Sequence, residues 1–323
     1  MLDPHSKHNT LVSKNIYAGQ TKSDNHDRNA NNIYLCTMNA RFKIPPFPAV
    51  ILAIISVQGG AAFAKSLFPV LGAAGTSTIR IGISALILFA FNRPNLKELS
   101  PSQWKAIIPY GLCLGAMNGI FYLSLSRIPL GLAVALEFIG PLMLSVLTSK
   151  SRMDYLWALL AVAGIALITP WNGKGIDLYG AGMALLAGGF WAGYIVLGQR
   201  TSAVIDGAKA VTVGMIFAIL IILPFGIADG KLGNFTVAMI PSAIALGLLC
   251  SAIPFSLEID ALKHIPAKTF SILMSLDPAF GALCGLIFLK EFLSFSEWMA
   301  IGLVIIASLG ATLTGKPEKQ MIQ

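Results

Sequence analysis

The sequence is poor in charge and lacks the motifs that would indicate a soluble enzyme. Only 12% of its 323 residues are charged, about half of the roughly 25% found in soluble domains. It has no Gly-x-x-x-x-Gly-Lys-Ser/Thr phosphate loop, which excludes an ATPase of that type, and no His-Glu-x-x-His or Gly-x-Ser-x-Gly motif. We therefore predict no catalytic residue, no metal and no cofactor, and any transport would draw its energy from an ion or substrate gradient.

Cysteine is scarce, and we do not expect the polar N-terminal stretch to be a signal peptide. The four cysteines are scattered and form no Cys-x-x-Cys pair, so we expect small apolar fillers rather than disulfides or a zinc site. Residues 1–44 are polar and rich in asparagine, and no apolar core follows their basic residues until position 47. We expect a disordered tail there. Residues 1–37 are predicted to be dispensable, because Met38 begins a stretch suited to precede a membrane helix.

Long hydrophobic runs dominate the rest of the chain, which is 55% hydrophobic with a mean hydropathy of +0.74. About ten segments have the length that a bilayer requires. They span 47–69, 72–92, 104–125, 130–148, 154–170, 178–198, 207–228, 238–260, 267–289 and 295–314. Barrel strands would be half as long and would alternate in polarity. The predicted fold class is therefore an all-α integral membrane protein with ten transmembrane helices.

The net charge of +8 is explained by topology rather than by nucleic-acid binding. If the N-terminus is cytoplasmic, the outside loops carry only Arg127, Lys174, Lys231 and Lys290. The inside loops then carry thirteen basic residues: Arg41, Lys43, Arg93, Lys97, Lys105, Lys150, Arg152, Arg200, Lys209, Lys263, Lys268, Lys316 and Lys319. This bias follows the positive-inside rule and predicts that both termini face the cytoplasm.

The ten segments divide into two related sets of five. Gly59-Gly60 recurs as Gly188-Gly189, Ile108-Pro109 as Ile240-Pro241, and Phe138-Ile139-Gly140-Pro141 aligns with Ser275-Leu276-Asp277-Pro278. Because five is odd, the second set enters the membrane from the opposite side, which gives the inverted repeat typical of secondary transporters. We predict repeats at 45–174 and 175–315, followed by a cytoplasmic tail at 316–323.

Interruptions in corresponding helices point to a binding site at the repeat interface. The predicted helix breaks are Gly59, Gly60, Pro141, Gly188, Gly189, Pro254 and Pro278. For the glycine pairs, close helix packing is an alternative explanation, because small residues let two backbones approach.

Glu137 is the strongest functional candidate. It lies seven residues into the apolar run 130–148, roughly 10 Å deep at 1.5 Å per residue. A carboxylate at that depth is costly and usually lines a watery path. Four residues later, Pro141 has no N–H to offer the Glu137 carbonyl. Glu137 is interpreted as a proton carrier or a partner for a substrate amino group, with a static ion pair to Arg80 or Lys65 as the alternative.

Four further charged residues are candidates for proton coupling or substrate binding. Arg80 offers a planar fork to a substrate carboxylate, or else forms a structural ion pair. Lys65 either reaches the interface or takes part in the site, and it aligns with Tyr194 in the repeat. Glu258 follows Pro254, and Asp277 precedes Pro278. Neutral groups suited to a zwitterion complete the predicted cavity lining: Gln58, Asn118, Tyr122, Trp191 and Tyr194, with ordinary packing as the alternative for the last two.

Several blocks resemble the drug/metabolite transporter superfamily, in its ten-helix EamA-type branch. They are Ser56-Val57-Gln58-Gly59-Gly60-Ala61, Pro129-Leu130-Gly131-Leu132-Ala133-Val134-Ala135-Leu136-Glu137-Phe138, Pro254-Phe255-Ser256-Leu257-Glu258 and Leu273-Met274-Ser275-Leu276-Asp277-Pro278-Ala279. The resemblance covers residues 47 to about 315 and is strongest to the threonine- and homoserine-exporting subgroup. Two departures stand out: Lys290 replaces the glycine of a Leu-Gly-Glu motif, and Asp277 stands where glutamate is expected.

The resemblance implies export of small hydrophilic amino acids in exchange for protons across a bacterial inner membrane. The implied partners are the amino acid, protons and the lipid bilayer, whereas the oligomeric state is not specified. Three alternatives remain open at this point: a carrier for other metabolites or drugs, a membrane-embedded enzyme, and a structural protein whose polar residues only join helices.

Overall fold

The transmembrane segments begin and end close to the predicted boundaries. The computed structural model describes residues 44–148, 153–168, 177–262, 264–265 and 267–314. The tails predicted at 1–44 and 316–323 lie outside these residues, apart from residue 44. The first five helices are α1 (Pro46–Ser66), α2 (Phe68–Asn92), α3 (Pro101–Leu125), α4 (Leu130–Thr148) and α5 (Met153–Ile168).

The second set of segments contains shorter pieces. Its helices are α6 (Leu178–Ser202), α7 (Gly207–Ala228), α8 (Ile240–Gly247), α9 (Ile253–Leu262), α10 (Ala267–Met274), α11 (Asp277–Leu289) and α12 (Phe295–Thr314). A π-helical turn at Leu248–Ala252 joins α8 to α9, so that these three pieces form the eighth segment. The helices α10 and α11 form the ninth segment, and α12 is the tenth.

Length and composition agree with a membrane protein. Seven helices within the described ranges are long and apolar enough to cross a bilayer, and three shorter apolar stretches lie at Leu130–Leu144, Tyr155–Leu167 and Val237–Ser251. Together they account for ten segments, as the hydrophobic runs predicted.

Local chemistry explains where several helices begin. Ser100 caps α3 through a reciprocal capping box with Gln103, with proline at the first helical position. Asp177 accepts hydrogen bonds from the backbone N–H groups of Tyr179 and Gly180 at the start of α6. Asp206 does the same for α7. These side chains satisfy N–H groups that have no partner within the helix.

The packing follows the predicted repeat. One group of contacts joins helices of the first five segments to α6 and α7: α3 packs on α6 and α7, and α4 packs on α6. A second group joins helices of the last five segments to α1 and α2: α9 packs on α1, α8 packs on α2, and α10 and α11 pack on α1. Exchanging each segment for its repeat counterpart turns one group of contacts into the other. The pairs α2 with α7, α4 with α11 and α5 with α12 map onto themselves.

The core is centred on α4. Residues 131–139 are all buried, and apolar side chains from α1, α3, α6, α11 and α12 surround them. A helix that is apolar and buried on every side belongs inside a bundle rather than against lipid. The single carboxylate of this stretch, Glu137, is thereby placed within the protein.

Most of the predicted helix breaks are not present. The helix α1 runs through Gly59-Gly60, α6 runs through Gly188-Gly189, and α4 runs through Pro141, so the prediction was wrong at these positions. Glycine pairs and a single proline are tolerated when neighbouring helices support the backbone. Pro278 does follow a break, because Ser275 and Leu276 form a turn between α10 and α11. Pro254 lies just after the π-helical turn.

One backbone deviation was not predicted. The helix α2 begins at Phe68 rather than at 72, and it is kinked at Gly72, whose φ of 68° and ψ of 166° are non-helical. Only glycine adopts such a conformation readily. The side chain of Asp229, which follows α7, lies against this glycine.

Candidate functional site

A polar cavity of about 310 Å³ lies between the two halves of the bundle. Residues from α1, α2, α3, α4, α6, α7, the π-helical turn, α9, α10 and α11 line it. The described residues of the fifth and tenth segments do not contribute to this lining. Eight of the ten segments thus meet at one cavity, as expected for a site on the axis that relates two inverted repeats.

Glu137 lines this cavity from α4. It is 8% exposed and makes no hydrogen bond or ion pair with any residue that the structure describes. Its position is set by a close crossing of α4 and α6, where Gly188 lies against the backbone carbonyl of Glu137 and Gly140 lies against Gly188. Pro141 leaves that carbonyl without its usual helical donor. The glycines therefore bring two backbones together beside the buried carboxylate.

Arg80 lines the same cavity from α2 and is 8% exposed. Its guanidinium donates a hydrogen bond to the side-chain oxygen of Asn118, and it stacks 4.9 Å from the centre of the Tyr122 ring. No carboxylate within the described ranges forms an ion pair with it. The Nε of Arg80 and the hydroxyl of Tyr122 lack hydrogen-bond partners among these residues. The arginine is thus oriented by neutral neighbours and retains unused donors.

Two further carboxylates complete the charged lining. Asp277, 7% exposed, stands in the first turn of α11, and its Oδ1 accepts a hydrogen bond of 2.9 Å from Nε2 of Gln58 on α1. Glu258 reaches the cavity from α9 and is half-buried. Glu137 lies within Coulombic range of both Asp277 and Arg80.

Aromatic side chains form much of the remaining wall. Tyr194 accepts a hydrogen bond of 3.2 Å from Tyr110, and the two rings stack at 5.0 Å. Trp191 packs edge-on against Phe138 at 5.4 Å. The structure places all five predicted neutral residues in the lining: Gln58, Asn118, Tyr122, Trp191 and Tyr194.

Lys65 lies away from the cavity lining. At the end of α1, its Nζ forms an ion pair of 2.6 Å with Glu291 and donates a hydrogen bond of 2.6 Å to the carbonyl of Ile128. Glu291 in turn accepts a hydrogen bond of 2.7 Å from the backbone N–H of Leu130. This cluster ties the end of α1, the start of α4 and the loop after α11 together. Lys65 therefore forms a structural ion pair, but its partner is Glu291 rather than Glu137.

Sequence reasoning missed two polar members of the lining. Cys250 and Ser251 come from the π-helical turn, and Ser251 exchanges a hydrogen bond of 2.8 Å with Ser84 on α2. Cys250 also packs where a side chain on Gly60 would lie. Pro254 lies two residues after the end of this turn at Ala252, so the proline was the available signal for an irregular backbone here.

The arrangement suits a small polar solute with two opposite charges. One cation and three carboxylates face a space that is otherwise aromatic and aliphatic, and the cation is not neutralised by an ion pair with a described residue. A site of this kind can hold a carboxylate and an ammonium group at separate positions. It can also take up a proton, because burying several carboxylates together is costly.

Comparison with known proteins agrees with this architecture. The model of the EamA-like transporter family matches residues 178–313. The threonine/homoserine exporter RhtA of Escherichia coli (strain K12) is 41% identical over 278 residues, which cover 85% of this chain and 94% of that protein. The chain belongs to the EamA-like transporter family. It is therefore a multi-pass membrane protein of a transporter family rather than an enzyme.

Other relatives of this EamA-like transporter have the same or a lower sequence identity. The threonine/homoserine exporter RhtA of Salmonella typhimurium (strain LT2) is 41% identical over 280 residues, covering 86% of this chain and 95% of that protein. The uncharacterized transporter YwfM of Bacillus subtilis (strain 168) is 26% identical over 255 residues, covering 76% and 85%. A solved crystal structure superposes with a TM-score of 0.54 at 16% identity, covering 83% of this chain and 97% of the other, which shows a shared fold.

Proposed function

We propose that this protein exports small zwitterionic amino acids of the threonine and homoserine class in exchange for protons. One observation carries the proposal: Arg80 lines the same cavity as the carboxylates of Glu137, Glu258 and Asp277, and it forms an ion pair with none of them. A zwitterion needs a separate partner for each of its charged ends. A guanidinium fork is the preferred partner of a carboxylate.

The cavity size supports a small substrate. A volume of about 310 Å³ equals roughly ten water molecules at ~30 Å³ each, which is room for a small amino acid and some of its water. Large aromatic amino acids or peptides would need a wider space. The name of the relatives that are 41% identical, threonine/homoserine exporter, points to the same class of solute.

Alternating access is the proposed mechanism. In support, the contacts between helices are equivalent when the segments of the two predicted repeats, 45–174 and 175–315, are exchanged; rocking one half against the other would expose the cavity to each side in turn. We place the protein in a bacterial inner membrane with both termini in the cytoplasm, on the basis of the distribution of basic residues.

A flux assay in proteoliposomes tests the proposal. We expect labelled threonine and homoserine to be driven by an imposed pH gradient, and a panel of drugs and unrelated metabolites to be transported poorly. Arg80→Gln removes a charged hydrogen-bonding group, worth about 1.5–3 kcal/mol, and should weaken the apparent affinity for threonine about 10- to 100-fold. Arg200→Gln, on the exposed end of α6, is the matched control.

Two results would contradict this function. Transport of the unrelated solutes alone would assign the protein to a different substrate class. Threonine flux that is unaffected by the pH gradient or by its dissipation would remove proton exchange from the mechanism.

A further inference from the structure

The buried carboxylates Glu137 and Asp277 differ in their hydrogen bonding. Asp277 accepts the amide N–H of Gln58 at 2.9 Å. Glu137 is buried to nearly the same extent, 8% against 7% exposed, yet it receives no hydrogen bond from any described residue. Both face the same cavity. Two acids with such different surroundings are suited to different tasks.

Two features of the surroundings of Asp277 partly offset the cost of burying its ionised form. A hydrogen bond donated to a carboxylate is strongest when the carboxylate is charged. Asp277 also stands in the first turn of the 13-residue helix α11, where the unpaired backbone N–H groups and the helix dipole stabilise an anion. The turn at Ser275 and Leu276 creates this helix start within the bundle. Of the two buried acids, Asp277 is therefore the one whose negative charge is better stabilised.

Gln58 contributes a second feature to this position. Its side chain is 3% exposed, and its Oε1 has no hydrogen-bond donor within the described part of the chain. Gly281 lies beside that oxygen, and a Cβ on Gly281 would be 3.4 Å from it. Asp277 and Gln58 together thus offer acceptor atoms and are short of N–H donors. An ammonium group brings three such donors and a positive charge.

Glu137 has none of these stabilising contacts. An ionised carboxylate that is buried without a donor is costly, and accepting a proton removes the charge. The other titratable or charged side chains that line the cavity are Arg80, Tyr122, Tyr194, Cys250, Glu258 and Asp277. Of these, Arg80 and Asp277 act on Glu137 through their charges. Because Asp277 is also close, ionised Glu137 adds to the negative potential that an ammonium group meets there.

We infer that the two acids divide the work: Asp277, held by Gln58, binds the ammonium group of the substrate, and Glu137 carries the exchanged proton. This inference rests on the proposed function and assigns its two ligands to separate side chains. Ionised Glu137 strengthens ammonium binding, and its protonation weakens it. Proton and substrate therefore exclude each other electrostatically, which is the requirement for exchange rather than cotransport.

The inference predicts opposite behaviour for two acid-to-amide variants in proteoliposomes. At saturating threonine, Glu137→Gln should retain counterflow, in which external threonine exchanges for internal threonine, but lose flux driven by a pH gradient. Asp277→Asn should lose both, and Asp277→Glu should restore counterflow, which shows that the loss is not a folding failure. Glu98→Gln, in an exposed turn between α2 and α3, is the matched control and should behave as wild type.

Binding to the detergent-solubilised protein gives an independent readout. The affinity of the wild type for threonine should fall as pH decreases, whereas Glu137→Gln should bind weakly at every pH. Gln58→Met should weaken binding about tenfold or more, whereas Gln199→Met, exposed on α6, should not.

The outcomes separate the inference from the proposed function. If wild-type protein neither binds nor moves threonine, the proposed function fails and the assignment of both acids fails with it. If wild type transports threonine but Asp277→Asn keeps counterflow, or Glu137→Gln retains pH-dependent affinity, the division of roles alone is overturned.

Discussion

Replacing Gly188 with alanine tests the close crossing of α4 and α6 that positions Glu137. A methyl group at this position would meet the backbone carbonyl of Glu137. Backbone atoms cannot move aside as the end of a flexible side chain can. Overpacking of this kind costs about 1–3 kcal/mol. The expected result is separation of the two helices and displacement of the carboxylate.

The neighbouring glycine provides the matched control. Gly189 is exposed and has no atom within 4 Å of the position that a Cβ would occupy. Alanine improves helix propensity by about 1 kcal/mol at either position, so this contribution cancels when the two variants are compared. We therefore expect Gly188→Ala to be less stable than Gly189→Ala by about 1–3 kcal/mol, the overpacking cost itself.

Thermal unfolding in detergent measures the stability difference, which should amount to several degrees in Tm. Proton-driven threonine flux measures the functional effect, which should be confined to Gly188→Ala. Equal stability and equal flux for both variants would refute backbone contact at this crossing. In the other half, Gly60 faces the side chains of Cys250 and Leu249, whereas Gly59 is open. A smaller difference is expected there, because side chains can adjust.

Three further predictions concern positions outside the cavity, and thermal unfolding in detergent tests each. Lys65→Met and Glu291→Gln should each lower the free energy of unfolding. The loss in the double variant should be smaller than the sum of the two single losses by about 0.5–3 kcal/mol. Additive losses would argue against the 2.6 Å ion pair. Asp177→Ala should lower Tm more than Asp177→Asn, which retains a cap. Hydrogen bonds from the backbone N–H of Gly180, and then from Arg127, hold the pKa of Asp177 below its ordinary 3.8. The ionised carboxylate therefore stabilises the fold fully above pH 4, and this contribution is lost as pH falls further. The asparagine variant has no carboxylate and should not show this pH dependence. Gly72→Ala should destabilise by about 1–3 kcal/mol, and an unchanged Tm would contradict the φ of 68°.

Hydrophobic length predicted the fold well because a bilayer imposes a simple rule. Each crossing needs about 20 apolar residues, and the joints carry proline, glycine or charge. The predicted segment 130–148 coincides with α4, and 207–228 coincides with α7. Similar spacing of glycine and proline in the two sets of five predicted a repeat, and the contacts between helices are compatible with it.

Rotational position and local backbone geometry were harder to predict. A helix that is apolar on every side has no period to show which face meets the cavity. The sequence therefore left both Lys65 and Arg80 as candidates for the site, and the packing places Lys65 beside Glu291 and Arg80 beside Asn118. The glycine pairs illustrate the same limit. Glycine fits both a break and a close approach, and only the neighbouring helix decides between them.

The asymmetry of residues 65 and 194, which align in the repeat, has a consequence for energetics. The end of α1 is tied by an ammonium–carboxylate contact, whereas Tyr194 is tied by a neutral phenol pair. Salt screens the Lys65–Glu291 ion pair, whereas it leaves the neutral tyrosine pair nearly unaffected. Two positions that the predicted repeat relates therefore respond unequally to ionic strength.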